Sequence, residues 1–143
     1  MATKLNVLTD LYRPAIGLPV AASTTIAKGD GVALDADGFA VPCAAAATTA
    51  LVFKGFAEDG VDNSSGADGA ATVRVIPEGF KTVAAIANLS DEGDSDTLVY
   101  MSDATTFTNA AGSDPYNVKV GSVHTYSADL GFVLHFRAGN LIT

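Results

Sequence analysis

The sequence has no tryptophan, one cysteine, and charged side chains at only 17% of its 143 positions. Without tryptophan it lacks the broad indole platform on which sugar-binding domains stack their ligands. With Cys43 as the sole cysteine no internal disulfide can form, which fits a reducing compartment. Basic residues are also few: 8 against 16 acidic ones, for a formal net charge of −8. The five lysines and three arginines are scattered along the chain. Nucleic-acid affinity comes mainly from clustered cations facing phosphates, so nucleic acid is excluded as a partner. No long hydrophobic run occurs either. The longest apolar stretch, Phe39 to Phe53, is broken by Pro42, Thr48 and Thr49 and falls short of the roughly 20 residues a membrane-spanning helix needs. The segment after Lys4, Leu5-Asn6-Val7-Leu8-Thr9-Asp10, is too polar for the core of a secretory signal. A soluble protein without a membrane partner is expected.

What is present is turn chemistry and strand chemistry. Turn signals recur at short intervals: Gly29-Asp30-Gly31, Asp37-Gly38, Asp59-Gly60, Asp68-Gly69, Glu78-Gly79, Gly93-Asp94, Asp114-Pro115 and Gly139-Asn140. Glycine supplies positive φ at no steric cost, and aspartate accepts hydrogen bonds from turn amides. Of the 16 acids, only Glu58, Glu78 and Glu92 are glutamate, the helix-favouring acid. Between the turns lie short runs of Val, Ile, Phe, Tyr and Thr, which fit a pleated, half-buried surface. Strands are expected at Gly31–Leu34, Phe39–Val41, Leu51–Ala57, Ala71–Ile76, Phe80–Ala85, Leu98–Met101, Val118–Tyr126 and Gly131–Arg137, the first two joined as a hairpin at Asp35–Gly38. In the last, Phe132, Leu134 and Phe136 alternate with Val133, His135 and Arg137, which separates a core face from a wetter face. Ser127–Leu130 is the expected hairpin connection before it. Ala44–Ala47 has helical propensity for a turn or two, and Val83–Leu89 is either a short helical stretch or a strand continuing from Phe80. The spacing predicts an all-β fold, a small antiparallel β-barrel or β-sandwich with short or no helices.

The first 20 residues differ from the rest and are read as an N-terminal arm or segment, with a single domain over 21–143. Leu5, Leu8, Leu11 and Tyr12 are apolar at spacings of three and four, ending at Arg13-Pro14. Such a stretch either packs as a short amphipathic turn on its own domain or docks on another subunit. The segment 62–69, Asp-Asn-Ser-Ser-Gly-Ala-Asp-Gly, reads as an exposed polar loop.

Tests for chemistry come out negative. An EF-hand loop needs glycine at its sixth position and a bidentate glutamate at its twelfth; counted from Asp91 these are Asp96 and Ser102, and counted from Asp94 they are Val99 and Thr105. A zinc site needs three or four ligands in tetrahedral geometry, and His124, His135 and Cys43 are the only soft or borderline donors. Strict alternation puts His124 on one face with Val118, Val120 and Tyr126. Ser122 and His124 then share a face near Asp129, but no Gly-x-Ser-x-Gly elbow accompanies them. Neither phosphate-binding glycine motif occurs. The expectation is a protein that is not an enzyme, with no catalytic residues, metal site or cofactor.

Ala27-Lys28-Gly29-Asp30-Gly31-Val32-Ala33-Leu34-Asp35 followed by Gly38-Phe39 resembles the opening of the capsid cement, or head decoration, proteins of tailed phages. Phe53–Asp59, the 63–69 loop with Ala71–Val75, Leu98–Asp103, Val120–Val123 and Phe132–Phe136 are similar to later parts of that family, in the same order. The resemblance covers roughly residues 27 to 137. It implies a β-tulip-like domain, a homotrimer made in the host cytoplasm, placed on the outer capsid surface of the virion and partnered by the major capsid protein. On this reading the capsid-binding residues are Leu5, Leu8, Leu11, Tyr12 and Arg13. The competing expectation is another β-rich binding module, such as a fibre, adhesin or carbohydrate-binding domain.

Overall fold

Turn chemistry sets the strand boundaries. The computed structural model describes residues 15–46, 50–113 and 115–139. They form twelve strands: β1 (Ile16–Pro19), β2 (Thr24–Ile26), β3 (Gly31–Leu34), β4 (Ala40–Pro42), β5 (Val52–Ala57), β6 (Val61–Asn63), β7 (Thr72–Ile76), β8 (Glu78–Val83), β9 (Leu98–Met101), β10 (Phe107–Thr108), β11 (Val118–Ser127) and β12 (Gly131–Arg137). Among the described residues, Glu92–Asp94 forms a complete 3₁₀ turn. The β3–β4 hairpin closes where expected. The Asp35 carboxylate accepts from the amides of Asp37 (2.9 Å) and Phe39 (3.0 Å), and Gly38 takes a φ of 90° that a Cβ would strain. Neither short stretch with helical character is a helix in its described part: Ala46 bridges to Tyr116 and Val83 closes β8.

One five-stranded sheet has the order β1-β7-β5-β3-β4, and the second has β10-β9-β11-β12-β8. Every ladder between strands is antiparallel. The sheets stack as a sandwich and do not close into a barrel. Between them lies the larger core, with Phe53 and Phe56 from β5 against Val118, Val120, Leu134 and Phe136 from β11 and β12. Phe56 sits at its centre, edge-on to Phe136 at 4.7 Å and to Phe53 at 5.3 Å between ring centroids. Such pairs add about 0.5–1.5 kcal/mol each beyond the area they bury.

The first sheet is covered on its other face too. The β2–β6 ribbon caps it over a second core that includes Val20, Ile26, Val32, Val73 and Val75. Adjacent Val32 and Ala33 therefore point into different cores, both fully buried, as period-2 alternation requires. The segment 62–69 belongs to this cap. Asp62 and Asn63 lie in β6, and Asn63 is buried. Its Nδ2 donates to the carbonyls of Ala21 (2.9 Å), Ala67 (3.0 Å) and Val20 (3.3 Å). Residues 64–65 and 67–70 remain exposed. β1 pairs with β7, and Val20 after it is fully buried.

Among the described residues, the outer face of the second sheet is left bare, with Phe80 and Leu98 exposed on it. Glu78 follows Ile76 after the single residue Pro77, so β7 runs into β8 and one strand path crosses from the first sheet to the second. Proline's fixed φ and missing N–H suit such a corner.

Candidate docking surface

The bare face of the second sheet is built by alternation along β12. Phe132, Leu134 and Phe136 turn inward and are buried, which leaves Val133, His135 and Arg137 facing out, as the sequence pattern predicts. Across the ladders His135 lies opposite Phe80 on β8 and Ser122 on β11, and Ser122 lies opposite Leu98 on β9. Leu98, Ser122, His135 and Phe80 therefore form one row across four strands. Phe80, on the terminal strand β8, and Leu98, on β9, are 51% and 45% exposed and lie in the same row. The Phe80 ring stacks on His135, centroids 4.8 Å apart and planes 18° from parallel, and meets His124 edge-on at 5.1 Å.

His124 reaches this row because β11 is bulged twice. Register shifts fall between Lys119 and Gly121 against β9, and between Val123 and Thr125 against β12. Each bulge adds a residue and moves the alternation on by one. The buried positions run Val118, Val120, Val123, with Tyr126 packed against the same core. The expectation that His124 shares a face with Val118, Val120 and Tyr126 is corrected: it lies on the outer face. Ser122 lies across from His135, and Asp129 sits in the exposed β11–β12 turn. Among the described residues, no side-chain hydrogen bond joins Ser122, His124 and Asp129.

Below the apolar row lies a charged one. The Glu78 carboxylate is 3.4 Å from His135 Nε2 and 3.6 Å from Arg137 Nε. The Arg137 Nε is itself buried without a hydrogen bond among the described residues, so its contact with Glu78 is an ion pair beyond hydrogen-bond distance. The face thus presents an aromatic ridge beside a compact acid–base cluster.

Other candidate groups are elsewhere. Cys43 is buried in the larger core, where desolvation first and the Asp30 carboxylate second push its thiol pKa far up. The acidic turns are self-satisfied. Hydrogen bonds from Ser64 and Thr25 hold the Asp62 carboxyl below the usual carboxylate range, as the Ser90 and Asp91 amides do for Asp94. Asp103 is held low by the Thr105 amide and the Thr106 hydroxyl. Among the described residues no group of three or more His, Cys, Asp or Glu side chains is placed to hold a metal ion, and no helix is long and apolar enough to cross a membrane. Leu5, Leu8, Leu11, Tyr12 and Arg13 lie outside the described residues. The ridge of Phe80, His124, His135 and Leu98 escaped the sequence reading because it is assembled from four strands, although Phe80 as an aromatic on a polar alternation was a visible signal.

No family model matches the chain, and neither a curated protein nor a solved structure matches it.

Proposed function

We propose that the protein is a capsid decoration protein, a non-enzymatic virion component that binds the outer surface of an expanded tailed-phage head and stabilises it. The observation that carries this reading is the exposed aromatic ridge around Phe80 on the outer face of the second sheet, which no other layer covers among the described residues. A rigid sheet face with apolar side chains and a polar border suits lateral contact with protein subunits. The net charge of −8 fits the outside of a shell better than the side facing packaged DNA. The major capsid protein is the proposed partner and a homotrimer the proposed state, with synthesis in the host cytoplasm and no nucleic-acid or membrane partner. The docking residues are the N-terminal Leu5, Leu8, Leu11, Tyr12 and Arg13 together with the Phe80 ridge.

The stabilising principle is linkage. A ligand that binds only the expanded lattice shifts the equilibrium toward it, and several modest contacts per oligomer sum to tight attachment. Purified protein mixed with expanded and unexpanded empty shells tests the reading. Saturable binding to expanded shells, lost on deleting residues 1–14, is expected; no binding to expanded shells refutes it. A second reading, a fibre, adhesin or carbohydrate-binding module, is favoured by the exposed Phe80 ring as a stacking surface. It predicts saturable glycan binding that Phe80→Ser removes.

A further inference from the structure

We infer that the Asp59–Gly60 bond is a site of spontaneous backbone isomerisation, where aspartate becomes isoaspartate and the chain lengthens beside the cap ribbon. The inference goes beyond the docking proposal, since it needs only water and time and holds whatever the protein binds. Four Asp-Gly bonds occur, at Asp30-Gly31, Asp37-Gly38, Asp59-Gly60 and Asp68-Gly69. Glycine favours the reaction because it has no side chain to keep its amide from approaching the preceding carboxyl. The Gly60 nitrogen attacks Asp59 Cγ, a C–N bond forms, and the carboxyl hydroxyl leaves as water with the amide proton. The product is a five-membered succinimide, which water then opens. Where water adds to the Asp59 main-chain carbonyl, the C–N bond on that side breaks and the chain runs on through Cβ and Cγ. One water leaves and one returns, so the mass is unchanged and nothing is oxidised or reduced.

The fold decides among the four bonds. At Asp30 the carboxylate accepts from the Ala27 amide (2.9 Å), and the Gly31 amide donates to the Ala104 carbonyl (2.9 Å). At Asp68 the carboxylate accepts from the Ala22 amide and the Gly69 amide donates to the Val20 carbonyl, both at 2.8 Å. At Asp37 the Gly38 amide donates to the Asp35 carbonyl (3.1 Å). In all three the attacking nitrogen is engaged, and in the first two the carboxyl is engaged as well. Attack must first break those bonds. Asp59 and Gly60 are both exposed, and among the described residues neither the Asp59 carboxylate nor the Gly60 amide is engaged in this way. They lie between Glu58, whose amide donates to the Arg74 carbonyl (2.8 Å), and Val61, which pairs with Ile26. The amide can therefore turn onto the carboxyl without breaking a ladder. Position sets the effect. The bond links β5 of the first sheet to β6 of the cap, and isomerisation inserts one carbon there, about 1.5 Å of main chain. That slack enters the cap just before Asn63, whose amide holds the carbonyls of Val20, Ala21 and Ala67.

The test is ageing of the full chain in mildly acidic buffer at physiological temperature, with isoaspartate at each bond measured by peptide mapping and electron-transfer fragmentation. Asp59 is expected to yield at least about tenfold more isoaspartate than Asp30 or Asp68, a ratio set by the hydrogen bonds that must break there first. In urea, with the fold gone, the four sites should converge. Comparable amounts at Asp59 and Asp68 in the folded protein, or the same ratio persisting in urea, overturns the inference. Gly60→Ala is a control that keeps the fold. A Cβ there would lie 3.4 Å from the Ile26 carbonyl oxygen and 3.5 Å from the Lys28 nitrogen, ordinary contacts, and the backbone is outside the left-handed region. The methyl group should lower the isoaspartate yield at Asp59 severalfold by crowding the nitrogen; an undiminished yield overturns attack by the Gly60 amide. Hydrogen exchange reads the consequence. Amides of β2 and β6 should exchange faster in the isomerised fraction than in unaged protein; equal protection overturns the loosening of the cap. Shell binding enters none of these readouts, so failure of the decoration proposal leaves this one standing, and the reverse.

Discussion

Replacing Asn63 should detach the cap over the smaller core. Among the described residues, its amide nitrogen is the only side-chain donor to the carbonyls of Val20, Ala21 and Ala67. With Asn63→Ala those bonds vanish; the Val20 and Ala67 carbonyls keep the amides of Gly69 (2.8 Å) and Ala70 (3.1 Å), while the Ala21 carbonyl loses its donor. A net hydrogen bond contributes about 0.5–1.5 kcal/mol, and a buried group left unsatisfied costs about 1–3 kcal/mol. Two bonds near 3 Å and one longer one give a loss of roughly 2–4 kcal/mol. For a domain of this size that corresponds to a fall in Tm of roughly 6–12 °C. Asn63→Asp is the sharper probe. The new carboxylate keeps the shape but directs charge at three carbonyl oxygens, so its folded pKa is raised above the unfolded value. By linkage, stability in this variant is greatest below about pH 4 and is lost as pH rises through the raised pKa. The variant should therefore fall further behind the parent at pH 7 than at pH 4.5. Urea denaturation at the two pH values, followed by far-ultraviolet circular dichroism, measures both effects. A change in Tm below about 2 °C for Asn63→Ala, or an equal deficit at both pH values for Asn63→Asp, would refute the account of this residue as the anchor.

Phe136→Ala opens a cavity among Phe53, Phe56 and Phe136 and should cost about 3–5 kcal/mol in chemical denaturation. Cys43 should resist thiol reagents at neutral pH until the protein unfolds, because its burial disfavours the thiolate; labelling in native buffer at the rate of free cysteine would contradict this. Asp62, Asp94 and Asp103 all have carboxyl groups held below their unfolded values, so their contribution is complete above about pH 4 and is lost as pH falls through the lowered folded values. NMR titration of the three carboxyls should give midpoints below those of model aspartates.

Most of the strands were legible in the sequence because they are long enough to show a period and are bounded by glycine and aspartate. β12 is the clearest case, with its inward phenylalanines and leucine. The short strands β1, β2, β6 and β10 were not legible. They span two to four residues, and β6 carries Asp62 and Asn63, both turn formers. Asn63 illustrates the general reason: its burial depends on carbonyls about 40 residues away in sequence, which no local pattern encodes. The face of His124 was misjudged because a bulge leaves no mark on hydrophobic alternation until partner registers are known. The Phe80 ridge was hidden for a related reason, since its members come from strands far apart in the chain.

The joint at Pro77 has a mechanical consequence. With one residue between β7 and β8 there is no slack, so tension along β8 passes directly into β7 and from there to β1 and β5 on either side of it. Pulling on the outer layer therefore loads the whole stack of ladders at once, and the two layers should yield together rather than peel.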